Sequence, residues 1–301
     1  MLKSLLKGLV TAWFVASAAF LCLRLSPGDP VERILGVQAR PEQIEAFRQK
    51  LGLDLSMTQQ YQKFAVGLVK LDWGKSLFKD KDVLTMIGDS LVPTAQLALI
   101  AIVLSFFFAS FLGCYSAVLK GKWQDHLIRL FGLTSLSFPI FSLAPILIIV
   151  FSIKLGWLPV SELTTPLHYI LPIITLVLPL TSVLTRVVRN QFLEASHEPW
   201  IAVLKAKGMS DISIYLRIYK VCLPTIMNLV SMQLSVILAG AMITETIFDI
   251  PGLGKLLLTA IENRDYPLVQ GLIIYTSFIY LVLYVLTDIL NLKIDPRLEQ
   301  Q

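Results

Sequence analysis

Hydrophobic positions in this chain gather into long runs separated by polar stretches of unequal length. A helix crossing the hydrocarbon core of a bilayer needs roughly 20 mostly apolar residues, and runs that meet or approach this extend over Leu9 to Leu25, Pro93 to Leu119, Leu130 to Leu155, Tyr169 to Val188, Pro224 to Phe248 and Val269 to Leu292. The pattern predicts an all-α polytopic membrane protein with about six transmembrane helices, which places both termini on one side. Two polar stretches stand out between the runs. Ser26 to Val92 is long and mixed in charge, and Pro41 to Leu51 within it has the composition of a polar helix. Ser196 to Pro224 is a shorter basic island with a glycine at Gly208.

Composition supports the membrane assignment. Of 301 residues, 55% are hydrophobic and 16% charged, and the mean hydropathy of +0.70 lies above the range of ordinary soluble domains. Lys3 and Lys7 in the first tail, Lys120, Lys122 and Arg129 between the second and third runs, and Lys293 and Arg297 at the end lie on one side. Arg186, Arg189, Lys205, Lys207, Arg217 and Lys220, around the fourth-to-fifth connection, join them. The short loops of the other side hold only Lys154, Lys255 and Arg264. The positive-inside rule makes the first side cytoplasmic, so the formal net charge of +5 reads as topology and not as nucleic-acid binding. The N-terminus has a rival reading. Lys3 and Lys7 ahead of an apolar stretch containing Ala16-Ser17-Ala18 also fit a cleavable secretory signal, although the run continues to Leu25, long enough to span.

Candidate chemistry within the chain is sparse. Cys22 and Cys114 fall in apolar runs and Cys222 on the cytoplasmic side, with no disulfide framework or metal spacing. His126, His168 and His197 sit in separate loops. Charges at the bilayer centre are costly and mark ion or proton paths, but here Arg24, Glu245 and Asp288 stand near the ends of their runs, where each can snorkel or pair at an interface. The sequence contains no phosphate-binding loop, no zinc-protease HExxH and no GxSxG elbow. No catalytic residues and no metal ligands are therefore assigned, and any pump built on this chain draws its energy from a partner. Pro139, Pro145, Pro172 and Pro179 lie in or beside apolar runs and can kink them.

Ser196 and Glu198 offer caps ahead of Pro199, a residue suited to the first helical position, and Trp200 to Lys207 can form a short helix that Gly208 ends. A second start follows at Ser210-Asp211, with Ile212, Tyr215, Leu216 and Tyr219 spaced as an apolar face. The pattern predicts a knob of two short helices. With Trp200, Ile201, Val203 and Leu204 exposed, it suits the groove of a soluble partner as well as the surface of anionic lipid.

Further residues carry a family resemblance over nearly the whole chain. They are Arg24-Leu25-Ser26-Pro27-Gly28-Asp29-Pro30, Leu51-Gly52-Leu53-Asp54 with Gln60-Tyr61, and Asp72-Trp73-Gly74-Lys75-Ser76. Pro93-Thr94, Ser137-Phe138-Pro139-Ile140-Phe141 and Lys205-Ala206-Lys207-Gly208 follow. Then come Glu245-Thr246-Ile247-Phe248 running to Pro251-Gly252-Leu253-Gly254, Arg264-Asp265-Tyr266-Pro267 with Gln270, and the closing Asp295-Pro296-Arg297. In this order they resemble the inner-membrane permease subunits of ATP-binding-cassette importers, in the dipeptide, oligopeptide and nickel group, and there the first of two paired permeases.

The resemblance implies a type I importer permease fold in the cytoplasmic (inner) membrane. It implies four protein partners: a second permease subunit, two ATPase subunits that carry ATP and Mg, and an external substrate-binding protein. The island then holds the coupling helix, Trp200, Ile201, Ala202, Val203, Leu204, Lys205, Ala206, Lys207 and Gly208, between the fourth and fifth spans. The family signature there reads E-A-A, three residues, then G. Gly208 keeps the glycine, whereas Ala202, Val203 and Leu204 replace the acid and both alanines, and Pro224 falls slightly late.

The expected organisation is a first span in residues 1–25, an external segment 26–92 and a permease core 93–292 with its coupling region at 196–224. A cytoplasmic tail at 293–301 completes it. The external segment suits docking of the binding protein or a lid over the outer mouth. The substrate expected from the resemblance is a peptide, with nickel or another small solute as the alternative. A secondary carrier or channel subunit is the reading from a different class, and copurification with an ATPase separates it from an importer.

Overall fold

A computed structural model describes residues 2–25, 30–36, 39–160, 165–239 and 241–294. Secondary structure among these residues is almost wholly helical. The chain divides into two compact units, one made of 1–94, 238–242 and 251–281, the other of 95–237, 243–250 and 282–301.

In the first unit, α1 (Leu2–Leu25) is the first apolar helix. Three short helices follow, α2 (Pro30–Leu35), α3 (Pro41–Leu51) and α4 (Met57–Lys70). The polar pattern at Pro41 to Leu51 thus does fold as a helix. It ends at Gly52, whose φ of 66° places it in the left-handed region while its N–H and that of Leu53 close onto Gln49 and Arg48. Ser56 starts α4 through a capping box with Gln59. Phe20 of α1 meets Tyr61 and Phe64 of α4 ring to ring, and Ser17 bonds the Tyr61 hydroxyl at 2.8 Å. These contacts fasten α4 along α1. Val83, Met86, Ile87, Leu253, Ala260, Leu268, Val269 and Leu272 form the unit's hydrophobic core.

Helix α5 (Val83–Val118) carries the second apolar run. It begins ten residues before the run predicted to start at Pro93 and, at 36 residues, is about 54 Å long, well beyond the roughly 30 Å hydrocarbon core. Its first three turns are therefore an extension that hydropathy alone could not assign to the span.

The second unit shows the largest departure from expectation. The third run is no straight span: α6 (Trp123–Ser137) and α7 (Ile140–Leu147), which continues as a π-helical segment Ile148–Lys154, bend by 100° across Phe138-Pro139. Pro139 lacks the N–H that would extend α6 and excludes Phe138 from helical geometry, and Phe138 accordingly adopts φ −89°, ψ 112°. Pro172 lies in the first turn of α8 (Ile170–Ser196), where a missing donor costs little, and Pro179 is carried inside it. Along α8, Gly113 of α5 allows close approach, since a Cβ there would sit 2.6 Å from Val188; small residues commonly serve this purpose in membrane helix packing.

The fifth run is also redistributed. A short helix α9 (Pro199–Ala206) precedes α10 (Asp211–Leu238), and α11 (Met242–Ile247) stands apart. The run predicted from Pro224 to Phe248 therefore starts 13 residues earlier, at Asp211, and stops at Leu238. Pro224 sits within the helix, not at its start. Helix α12 (Leu253–Glu262) and the long α13 (Tyr266–Ile294) complete the chain. Among the described residues, four helices are long and apolar enough to cross a membrane, five if the bent pair counts as one span, and α1 adds a shorter apolar stretch over Val10–Leu25. Outward-facing Leu99, Ile100, Val103, Phe107, Phe108 and Phe111 on α5 match a lipid-facing surface, where apolar side chains carry no hydration penalty.

Candidate functional site

The basic island folds as a helix, a glycine stop and the start of α10. Pro199 occupies the first position of α9 after Glu198 in extended backbone. At the other end the Gly208 N–H bonds Lys205 O at 2.9 Å and the Met209 N–H bonds Leu204 O at 3.2 Å. Gly208 has φ 73° and an added Cβ would meet nothing within 4 Å. Conformation, not space, selects glycine here.

The faces of α9 differ from those expected. Ile201 is buried at 6% exposure and packs with Val188, Phe192 and Ala195 of α8 and with Ile214, Ile218 and Cys222 of α10, while Trp200 and Leu204 are half-buried against the same cluster. Three of the four apolar residues predicted to face outward thus anchor the helix inward; Val203, 53% exposed, is the exception. The outward face consists of Ala202, Val203, Lys205, Ala206 and Lys207, with Gly208 exposed at its end. On α10 the buried stripe is Ile214, Ile218, Cys222 and Ile226, flanked by half-buried Tyr215 and Tyr219, whereas Ile212 and Leu216 point outward. The predicted apolar face was out of register because four apolar residues fit one helical periodicity while four others fit the neighbouring one. Nor are there two short helices, since α10 runs 28 residues from the island into the membrane run.

A buried ion pair that the charge count had treated as topology braces the base of this region. Asp125, 1% exposed, accepts from Arg189 Nε and Nη2 at 2.9 Å each, from Ser116 Oγ at 2.6 Å and from the Gly121 N–H at 3.0 Å. It thereby ties the end of α5 and the start of α6 to α8, seven residues before that helix ends. The available signal was that Asp125 is the single acidic residue between Leu119 and Arg129.

The recurring motif residues of the first unit contact one another. Asp265, buried ahead of α13, accepts from Ser76 Oγ, from the Leu77 N–H at 3.2 Å and from the Leu268 N–H at 3.4 Å. This joins the Asp72-to-Ser76 motif to Arg264-to-Pro267. Arg264 closes α12 with φ 56°, and Tyr266 and Pro267 open α13. Thr94 Oγ1 accepts the Leu253 N–H at 2.9 Å, so Pro93-Thr94 meets the Pro251-to-Gly254 motif at the start of α12. Gly252 precedes that helix, and a Cβ on Gly254 would lie 2.5 Å from Met242 Cα, an approach only glycine permits.

In the second unit Glu245 is fully buried on α11, so of the two expectations for it, snorkelling or pairing, its side chain does not take the first. Arg24 also stays in the protein: its Nε bonds Gln60 Oε1 at 2.7 Å and its guanidinium lies 3.7 Å above the Phe20 ring. Pro30 begins α2. Pro27, Gly28 and Asp29, with the closing Asp295-Pro296-Arg297, lie outside the described residues.

Comparison with known proteins places this arrangement. Residues 109–300 match the family model described as binding-protein-dependent transport system inner membrane component, and residues 1–98 match the model for the N-terminal part of the same membrane components. The chain belongs to this family of importer permeases. It is 32% identical over 299 residues to the glutathione transport system permease protein GsiC of Escherichia coli strain K12, across 99% of this chain and 97% of that protein. The GsiC of Salmonella paratyphi A is 31% identical over the same share of each chain. Among solved structures, a chain of the MetNI methionine ABC transporter in its inward-facing form superposes with a TM-score of 0.53 at 14% identity, covering 70% of this chain and 97% of that one. The shared fold is that of a type I ABC importer permease, and the protein is a multi-pass membrane protein.

Proposed function

We propose that this permease forms half of the pathway of a short-peptide importer and transmits the work of a partner ATPase through α9. The observation that carries the proposal is the division of α9 into a seated face and a free face. Ile201, Trp200 and Leu204 lock it onto α8 and α10, while Ala202, Val203 and Ala206 form a small, shallow apolar surface edged by Lys205 and Lys207. Such a surface fits a groove. Force on it passes directly into two long helices, because the buried cluster has no slack to absorb the movement.

In this reading a second permease completes the pathway, and two ATPase subunits bind ATP with Mg and close upon it, so this chain itself carries out no hydrolysis. An external binding protein delivers the substrate. Movement of the ATPase grooves shifts α9 and switches access between the two sides. The basic connections orient both termini and α9 toward the cytoplasm in the inner membrane, and residues 26–92 lie externally, where the binding protein docks. Relatives named for glutathione transport favour a small peptide over a metal ion as substrate. Replacing Val203 with Asp tests the reading: the folded permease should lose its ATPase on copurification, because a carboxylate would be stripped of water in an apolar groove. Full retention of the ATPase would refute it.

A further inference from the structure

The first unit contains a cavity of about 290 Å³ whose lining includes Arg24, Gln60, Lys63, Asp72, Trp73 and Gln270. Three buried nitrogen donors in this lining have no hydrogen-bond partner: Nη1 of Arg24, Nε1 of Trp73 and Nε2 of Gln270. They come from three separate elements, the end of α1, the loop after α4 and the first turns of α13. Gln270 is only 8% exposed, so its amide cannot be satisfied by bulk solvent. A buried donor left without a partner costs about 1–3 kcal/mol, and three such donors on residues that line one cavity point to an acceptor that a small side-chain adjustment would let the cavity receive.

The surroundings narrow the choice. Arg24 is held in place by Gln60, whose Oε1 takes the Arg24 Nε–H while its Nε2 donates to Leu53 O and Leu55 O at 3.3 and 2.9 Å. The guanidinium also rests on the Phe20 ring, and no carboxylate forms an ion pair with it among the described residues. Asp72 already accepts the Gly74 N–H at 3.2 Å. Arg24 and Lys63 against Asp72 leave the lining with a single net positive charge. Phe64, Leu68, Pro267 and Ile274 supply an apolar remainder.

We propose that this cavity binds the carboxylate of a small organic anion, with Arg24, Trp73 and Gln270 as its donors. One negative charge matches the one unneutralised cation, two acceptor oxygens can serve three donors, and the volume admits a carboxylate with a few further atoms. The site is separate from α9 and does not depend on the coupling role or on peptide as the transported substrate.

The test is a thermal-shift and calorimetric titration of the purified full-length permease in phosphatidylcholine nanodiscs with acetate and with glycylglycine, against chloride at equal ionic strength. Saturable binding and a rising Tm are expected with either carboxylate, with no such saturation in chloride. Gln270→Glu, which sets a carboxylate inside the cavity, should abolish the titration while preserving or raising the basal Tm. Trp73→Phe, which keeps the ring and removes the N–H, should weaken binding about tenfold. The proposal is overturned if neither carboxylate saturates, showing a cavity that holds water alone, or if Gln270→Glu titrates like the parent. It is overturned equally if discs containing phosphatidylglycerol raise the Tm while both carboxylates fail, which would make the occupant a lipid headgroup.

Discussion

Two glycines illustrate opposite reasons for the same residue. Gly208 sits at φ 73° in open space, so its replacement is limited by backbone conformation. Gly208→Val should weaken ATPase association or uncouple hydrolysis from transport, because a β-branched residue is disfavoured at positive φ, while Gly208→Asn, tolerant of that region, should retain most activity; transport assays with copurification of the ATPase distinguish them. Gly254 is confined by the backbone of Met242 at 2.5 Å. Gly254→Ala should lower stability by about 1–3 kcal/mol, visible as a reduced Tm. The buried pair offers a third residue-scale case. Asp125→Asn leaves Arg189 without its counter-charge and should destabilise the fold by about 3–5 kcal/mol, and Asp125→Leu combined with Arg189→Met should recover much of that loss in a double-mutant cycle.

At the scale of elements, the apolar runs located the membrane helices well and their ends poorly. Hydropathy reports the solvent around a helix, not its hydrogen bonds, so α5 and α10 each begin in mixed polar and apolar sequence ahead of the run that revealed them. The bend at Phe138-Pro139 was legible as a proline that can kink, but its 100° amplitude follows from tertiary packing that no local rule contains. The island shows the same limit more sharply. Pro199 and Gly208 marked the limits of α9 because a first-turn proline and a glycine stop act locally. Which face turns inward depended on α8 and α10, so Ile201 was misassigned as exposed. Ile201→Ala should consequently behave as a core truncation, costing about 2–4 kcal/mol, with its primary effect on Tm and not on ATPase recognition.

At the scale of the molecule, the motifs quoted from sequence turn out to be largely contacts between motifs. Asp265 meets Ser76, Thr94 meets the backbone of Leu253, and Arg24 meets Gln60. Their order along the chain identified the family, whereas their pairing needed coordinates, because the partners are up to 189 residues apart in sequence. The Asp125–Arg189 pair was missed for a related reason: a basic loop serves topology and structure with the same residues.

On the proposed function, the outward face of α9 receives an ATPase. The most direct measurement is site-specific cross-linking from a photoreactive residue at position 203 in membranes holding the assembled transporter, with position 221 on the exposed side of α10 as the comparison. An adduct with the ATPase is expected from position 203, its yield changing when ATP is added, and little from position 221. An unchanged yield of lipid adducts alone from position 203 would contradict it.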